Sequence, residues 1–226
     1  MKLLLFDIDG TLLLSGGAGI RAMNHAFAEL YGLAEVLRGL NLAGRTDTSI
    51  FKEILEKNNF SYHPQSLQDF KTRYFSFLTI ELQRASADQR LMPGVRELLA
   101  ALHGRPDLHI GLLTGNWQKS GYLKLAHFGL ERYFAIGAFS DDAEIRSELL
   151  PFAVTRFQEK YGVPLQPHEI YIVGDTPSDI LCAKPHGAVS VAVAAAHYKQ
   201  ADLEPYQPDY LLADFTDLNE TLRILG

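Results

Sequence analysis

The sequence predicts an α/β fold, a mostly parallel sheet whose first strand is followed by an all-helical insertion. Three observations lead there. Short runs that are apolar on both faces, as buried parallel strands require, recur along the chain. From about Leu91 to the C-terminus they alternate with helical patterns, which implies strand–helix–strand units. Between about Ser15 and Gln89 the alternation stops and only helical periodicity is left.

The first strand is expected over residues 2–8. Three helices follow, over 18–31, 46–58 and 64–84. In the last of these, Phe70, Tyr74, Phe77, Leu78 and Leu82 recur at three- and four-residue spacing, as an amphipathic helix requires. Ser15-Gly16-Gly17 and the segment 88–93 carry turn-forming residues at the two ends of this insertion. The expected division is therefore a catalytic core of residues 1–14 and 90–226 and a helical cap of residues 15–89. Further strands are expected over 108–113, 169–173, 188–193 and 209–212, with helices over 94–102, 119–128, 148–161 and 178–186. No internal repeat or low-complexity segment interrupts the pattern.

The bulk properties narrow the function classes. A chain of 226 residues with 47% hydrophobic and 21% charged content is ordinary for a globular protein. Its formal charge of −6 argues against nucleic acid as partner. The single cysteine, Cys182, excludes an intramolecular disulfide and is expected to be a small buried hydrophobe. The apolar start is interrupted by Asp7 and Asp9, so it does not read as a signal peptide. With no apolar stretch of membrane-spanning length, the expectation is a cytoplasmic protein with no membrane partner, monomeric by default.

Three segments carry chemistry. Asp7-Ile8-Asp9-Gly10-Thr11 closes the first strand, and ligands of an open parallel sheet bind beyond such strand ends. Two carboxylates one residue apart call for a cation or a shared proton. Gly174-Asp175-Thr176-Pro177-Ser178-Asp179 follows another apolar run and adds two more carboxylates. Oxygen-rich clusters of this kind suit Mg²⁺, which commonly shares its shell with phosphate. Thr114-Gly115-Asn116 closes a third strand with neutral hydrogen-bonding groups suited to phosphate oxygens. Taken singly, each has an ordinary explanation as a turn or a helix cap. Together, at three strand ends, they indicate one site.

These segments resemble the motifs of the haloacid dehalogenase-like hydrolase superfamily, in its phosphatase branch with a helical cap. Asp7–Thr11 resembles the first motif, Thr114-Gly115-Asn116 the second and Gly174–Asp179 the fourth, while Met92-Pro93-Gly94-Val95 resembles the return from cap to core. The resemblance implies a Rossmann-like parallel sheet and a Mg²⁺-dependent phosphatase acting on a small phosphorylated substrate. The third motif, normally a lysine, is absent from its usual region, and Arg146 is the candidate replacement, with Lys119 and Lys184 as substitutes. A guanidinium reaching both phosphate and carboxylate makes Arg146 chemically sensible.

On this resemblance Asp7 is the nucleophile and Asp9 the general acid and then base. Mg²⁺ is held by Asp7, by the backbone carbonyl of Asp9 and by Asp175, with Asp179 orienting the shell. Thr114, Asn116 and Arg146 stabilise the transferring phosphoryl group; Gly10, Thr11 and Gly115 adjoin the substrate. In the cap, Arg45 is the candidate contact to a carboxylate or second phosphate, and Thr46 or Asp47 a candidate helix cap. Trp117 either lines the mouth of the site or packs in a core, and His25, His63, His127, His186 and His197 form no constellation. Asp9 counts against a haloacid dehalogenase and against a phosphonate hydrolase, although Lys52 and Lys57 keep lysines in the cap. A sugar-phosphate mutase shares both aspartates, but its relatives usually carry an acidic residue where this chain has Gly174. A non-catalytic binding module is the remaining alternative.

Overall fold

The computed structural model describes all 226 residues. The central strand is β1 (Lys2–Phe6), whose Leu3, Leu4, Leu5 and Phe6 are fully buried. Successive strand side chains point to opposite faces. Leu4 and Phe6 accordingly enter one apolar layer and Leu3 and Leu5 another, which is why this run shows no polar alternation.

The chain leaves through β2 (Leu13–Ser15) into three helices, α1 (Ala18–Tyr31), α2 (Asp47–Lys57) and α3 (Pro64–Leu82), and returns through β3 (Gln89–Leu91). It continues as α4 (Val95–Leu102), β4 (Leu108–Leu113), α5 (Gln118–His127), β5 (Gly137–Ala138), α6 (Leu150–Tyr161), β6 (Ile170–Gly174), α7 (Pro177–Ala183), β7 (Val189–Val193), α8 (Gln200–Leu203), β8 (Tyr210–Leu212) and α9 (Leu218–Leu225). The main sheet has the order β5-β4-β1-β6-β7-β8, and every pairing in it is parallel. β4, β1 and β6 are thus neighbours, so the three motif segments that follow them leave the sheet side by side. No helix is long and apolar enough to cross a membrane.

One feature was not expected from the sequence. β2 and β3 form an antiparallel ribbon, with Leu13 opposite Leu91 and Ser15 opposite Gln89. Strands of three residues are too short for their own alternation to show, and this pairing joins residues far apart in sequence. The ribbon ties together the two chain passages between sheet and helices.

The three helices share an apolar cluster of their own. Phe70 lies at its centre, with ring centroids 4.4 Å from Phe27 and 4.6 Å from Phe51. Thr46 caps α2 by accepting from the Ser49 amide. Trp117 is fully buried in this helical cluster although it immediately precedes α5 of the sheet layer. Its Nε1 donates to Thr48 Oγ1 at 2.9 Å. Cys182 is buried among apolar residues behind the sheet, as expected.

Removing a fully buried aromatic ring leaves a cavity as well as losing its transfer free energy. Trp117→Ala is expected to lower the unfolding free energy by about 3–5 kcal/mol, read from urea unfolding. A loss below about 1 kcal/mol would mean that the indole is not packed within the helical cluster.

Candidate active site

Three adjacent strand ends deliver the polar groups. β1 ends at Phe6 and presents Asp7, whose amide donates to Val173 O at 2.9 Å. β6 ends at Gly174 and presents Asp175. The turn into α7 then brings Asp179 back toward both, because α7 opens with a capping box: Asp179 Oδ2 accepts from the Thr176 amide at 3.1 Å and from Thr176 Oγ1 at 2.7 Å. Carboxylate oxygens of Asp7, Asp175 and Asp179 lie within 4.8 Å of one another, and all three residues are buried.

Gly10 makes this convergence possible. Its φ is +89°, and a Cβ there would lie 2.2 Å from Asp175 Oδ2. The next residue, Thr11, is fully buried and donates through Oγ1 to Asp175 Oδ1 at 3.2 Å. The structure therefore places Thr11 beside a carboxylate rather than beside the substrate space.

Arg146 supplies the buried positive charge. Its Nη2 lies 2.5 Å from Asp179 Oδ1 and 3.1 Å from Asp7 Oδ1, and the side chain is 7% exposed. Lys119 is exposed, with its Nζ over the Phe75 ring, and Lys184 is exposed after α7. Of the three candidates for the missing lysine, only Arg146 reaches the carboxylates. Burial pushes the Asp7 carboxyl up to about 7, against the pull of Arg146 and with Asp179, Asp175 and Asp9 adding to the rise.

Asp9 faces a different environment. Asn116 Nδ2 donates to its Oδ2 at 2.8 Å and Lys124 Nζ donates to the same oxygen at 2.6 Å. Lys124 also donates to Asn116 Oδ1 at 2.7 Å, so the three side chains form a closed triangle. Thr114 is fully buried and its Oγ1 accepts from the Asn116 side chain at 2.9 Å, holding the amide in place. Sequence reasoning missed Lys124. The signal was present: Trp117, Ser120, Lys124 and Phe128 follow helical spacing, so this lysine falls on a stripe that also carries Leu125 and is itself 5% exposed.

The cap side completes the enclosure. The Asp47 amide donates to Gly115 O at 2.7 Å, and Asp47 Oδ2 accepts from the Trp117 amide at 2.9 Å. Asp47 thus clasps the loop after β4, a role sequence reasoning did not assign; burial pushes its carboxyl up to about 6, with Lys124 opposing. Arg45 lines the cavity but its guanidinium is paired with Glu53. His197, expected to be unremarkable, lies with Nδ1 3.8 Å from Asp175 Oδ2, too far for a hydrogen bond. Lys52 pairs with Glu144 and Lys57 with Glu53; neither lines the cavity.

The donor set fits a divalent cation. Asp175 Oδ2 is buried with no hydrogen-bond partner, an arrangement that is costly unless an ion completes it. All the convergent ligand atoms are hard carboxylate oxygens, the kind Mg²⁺ prefers.

Comparison with known proteins agrees with this geometry. The sequence model of the haloacid dehalogenase-like hydrolase family matches residues 4–193. A phosphoglycolate phosphatase of Agrobacterium fabrum is 27% identical, over 97% of this chain and 91% of its own length. The pyrophosphatase PpaX of Bacillus mycoides is 23% identical, over 95% of this chain and 93% of its own. Among solved structures, a Thermotoga maritima protein assigned as a beta-phosphoglucomutase superposes with a TM-score of 0.65 at 20% identity, covering 100% of both chains. That likeness shows the shared fold.

Cation binding to the folded state alone raises stability, by about 2.7 kcal/mol at a hundredfold excess over Kd. Mg²⁺ is expected to raise the thermal unfolding midpoint of the wild-type chain relative to chelator, and Asp175→Asn to abolish the increase. An equal increase in that variant would remove Asp175 from the ligand set.

Proposed function

The chain belongs to the haloacid dehalogenase-like hydrolase family and is a phosphatase, and we propose that it hydrolyses a small phosphomonoester through an aspartyl-phosphate on Asp7. The observation that carries this is the separation of two nearby carboxylates into two environments. Asp7 sits among buried carboxylates and Arg146, whereas Asp9 is held by Asn116 and Lys124, with its side chain 38% exposed.

The residues divide the work accordingly. Asp7 attacks phosphorus, and the bond from phosphorus to the ester oxygen breaks as the new bond to the Asp7 oxygen forms. Asp9 gives its proton to the departing alkoxide. It then takes a proton from the water that attacks the same phosphorus, the bond to Asp7 breaks, and inorganic phosphate leaves. The bonds from Asn116 and Lys124 both fall on Asp9 Oδ2, which leaves Oδ1 without a protein partner and free to face the leaving oxygen. Arg146 keeps Asp7 oriented and places a guanidinium where charge develops on the phosphoryl oxygens. Mg²⁺, held by Asp7, Asp175 and the Asp9 carbonyl with Asp179 behind them, would neutralise charge between nucleophile and phosphate. Residues 15–89 serve as the lid that excludes water from the reacting groups.

Gly174 supports a hydrolase over a mutase. A Cβ at this position would lie 2.0 Å from Asp179 Cγ, so this backbone leaves no room for an acidic side chain there. Lys52 and Lys57, the candidates for the single cap lysine of a phosphonate hydrolase, pair with Glu144 and Glu53 and do not line the cavity.

Phosphate release from a panel of phosphomonoesters is expected to require Mg²⁺ and to vanish in Asp7→Asn. Arg146→Ala should lower kcat by about 10²- to 10³-fold, while Lys119→Ala should change it less than about twofold. Turnover that survives in Asp7→Asn would refute the assigned nucleophile, and equal losses in the two basic variants would refute the role of Arg146.

A further inference from the structure

Lys124 has a hydrogen-bond donor to spare. An ammonium carries three N–H groups. One bonds Asp9 Oδ2 at 2.6 Å and one bonds Asn116 Oδ1 at 2.7 Å, which leaves the third without a protein acceptor. The residue is only 5% exposed, yet it lines the cavity that holds Asp7 and Asp9. A buried donor without a partner is costly, so an acceptor brought in by a ligand is favoured at this point.

A glycine keeps the space over that nitrogen open. Gly19 is the second residue of α1, a helical position where alanine is the better helix former. A Cβ there would lie 3.5 Å from Lys124 Nζ and 3.6 Å from Tyr74 Oη. Those are ordinary contact distances, so a methyl group would fit, but it would cover both polar atoms. Gly19 and Tyr74 line the same cavity as Lys124. The gap therefore presents an amine from the sheet layer and a hydroxyl from the helical layer side by side.

Its place relative to the reaction follows from Asp9. Lys124 pairs with Asp9 Oδ2, whereas Arg146 pairs with Asp7 and Asp179 on the phosphoryl side. With Asp9 Oδ1 at the ester oxygen, Lys124 stands beside the next atoms of the leaving group. We propose that Lys124 is a specificity-determining residue. Its third N–H binds an oxygen, hydroxyl or carboxylate, on the carbon next to the esterified one, through the gap that Gly19 leaves open. Tyr74 Oη is the second contact to that oxygen. This rests on the phosphatase reading, with Asp9 at the leaving group, and adds the residue that selects it.

The test compares kcat/KM of the full chain with Mg²⁺ for ethyl phosphate, 2-hydroxyethyl phosphate and phosphoglycolate, which differ in the oxygen on the second carbon. At least one oxygenated ester is expected to exceed ethyl phosphate by about 10- to 100-fold, as a hydrogen bond to a charged group contributes; the better of the two identifies the oxygen as hydroxyl or carboxylate. Lys124→Met should slow every ester, because Asp9 loses its partner, and should also bring that ratio close to one. A residue that merely supported Asp9 would slow all three esters equally and leave the ratio intact. Gly19→Ala, which keeps the Lys124 pairing and favours the helix, should lower the ratio by raising KM for the preferred ester, and it carries the test if Lys124→Met is inactive or unfolded. A wild-type ratio near one, or a ratio unchanged in either variant, would overturn the proposal and leave the phosphatase standing. Absence of phosphate release from every ester would instead refute the phosphatase reading, and this inference with it.

Discussion

A guanidinium buried between carboxylates governs the catalytic end of the molecule. Placing Asp7, Asp175 and Asp179 within reach of one another in a buried space costs several kcal/mol per uncompensated charge. Arg146 offsets part of that cost by touching Asp7 and Asp179 at once, with Leu113 O a further 3.4 Å contact. All three contacts are made by the one nitrogen Nη2, while Nε is buried without a hydrogen-bond partner, so the guanidinium keeps donor capacity to spare beside the carboxylates. Asp175 Oδ2 remains unpartnered, and that residual deficit is what suits the cluster to a divalent ion.

The other half of the enclosure depends on the short segment Gly115-Asn116-Trp117. Gly115 O accepts from the Asp47 amide, Asn116 donates to Asp9, and Trp117 plugs the helical cluster. Thr48 reinforces the seam, its amide donating to Ser140 Oγ at 2.8 Å and its hydroxyl to Ser140 O at 2.9 Å. Three consecutive residues thus connect the helices, the sheet and the proposed acid–base group. A shift of the helical layer would be felt at Asp9 through this segment, because close-packed interiors transmit displacement rather than absorb it.

The strands and helices were legible because their signals are local. Runs such as Leu3-Leu4-Leu5-Phe6 announce burial on both faces, and Gly17 and Gly32, both left-handed, bound α1 where its periodicity begins and ends. The acidic motifs were legible because their spacing places carboxylates at strand ends. Lys124 was not singled out, since a lysine on a mostly apolar helix face declares no partner until Asp9 and Asn116 are brought beside it. Arg45, the candidate contact to a substrate anion, lies at the cavity wall with its guanidinium paired with Glu53 of α2.

What the sequence by itself determined is the alternation of elements, the helical insertion after the first strand and the residue types that gather at the strand ends. Those follow from periodicity and from local chain stiffness, which act over a few residues. Only the tertiary structure decided the order β4-β1-β6 that makes three strand ends adjacent, the burial of Trp117 in the helical layer and the pairing of Arg146 and Lys124 with carboxylates at the strand ends. These depend on contacts between residues distant in the chain, and an ion pair exists only where folding places both charges at the same point in space.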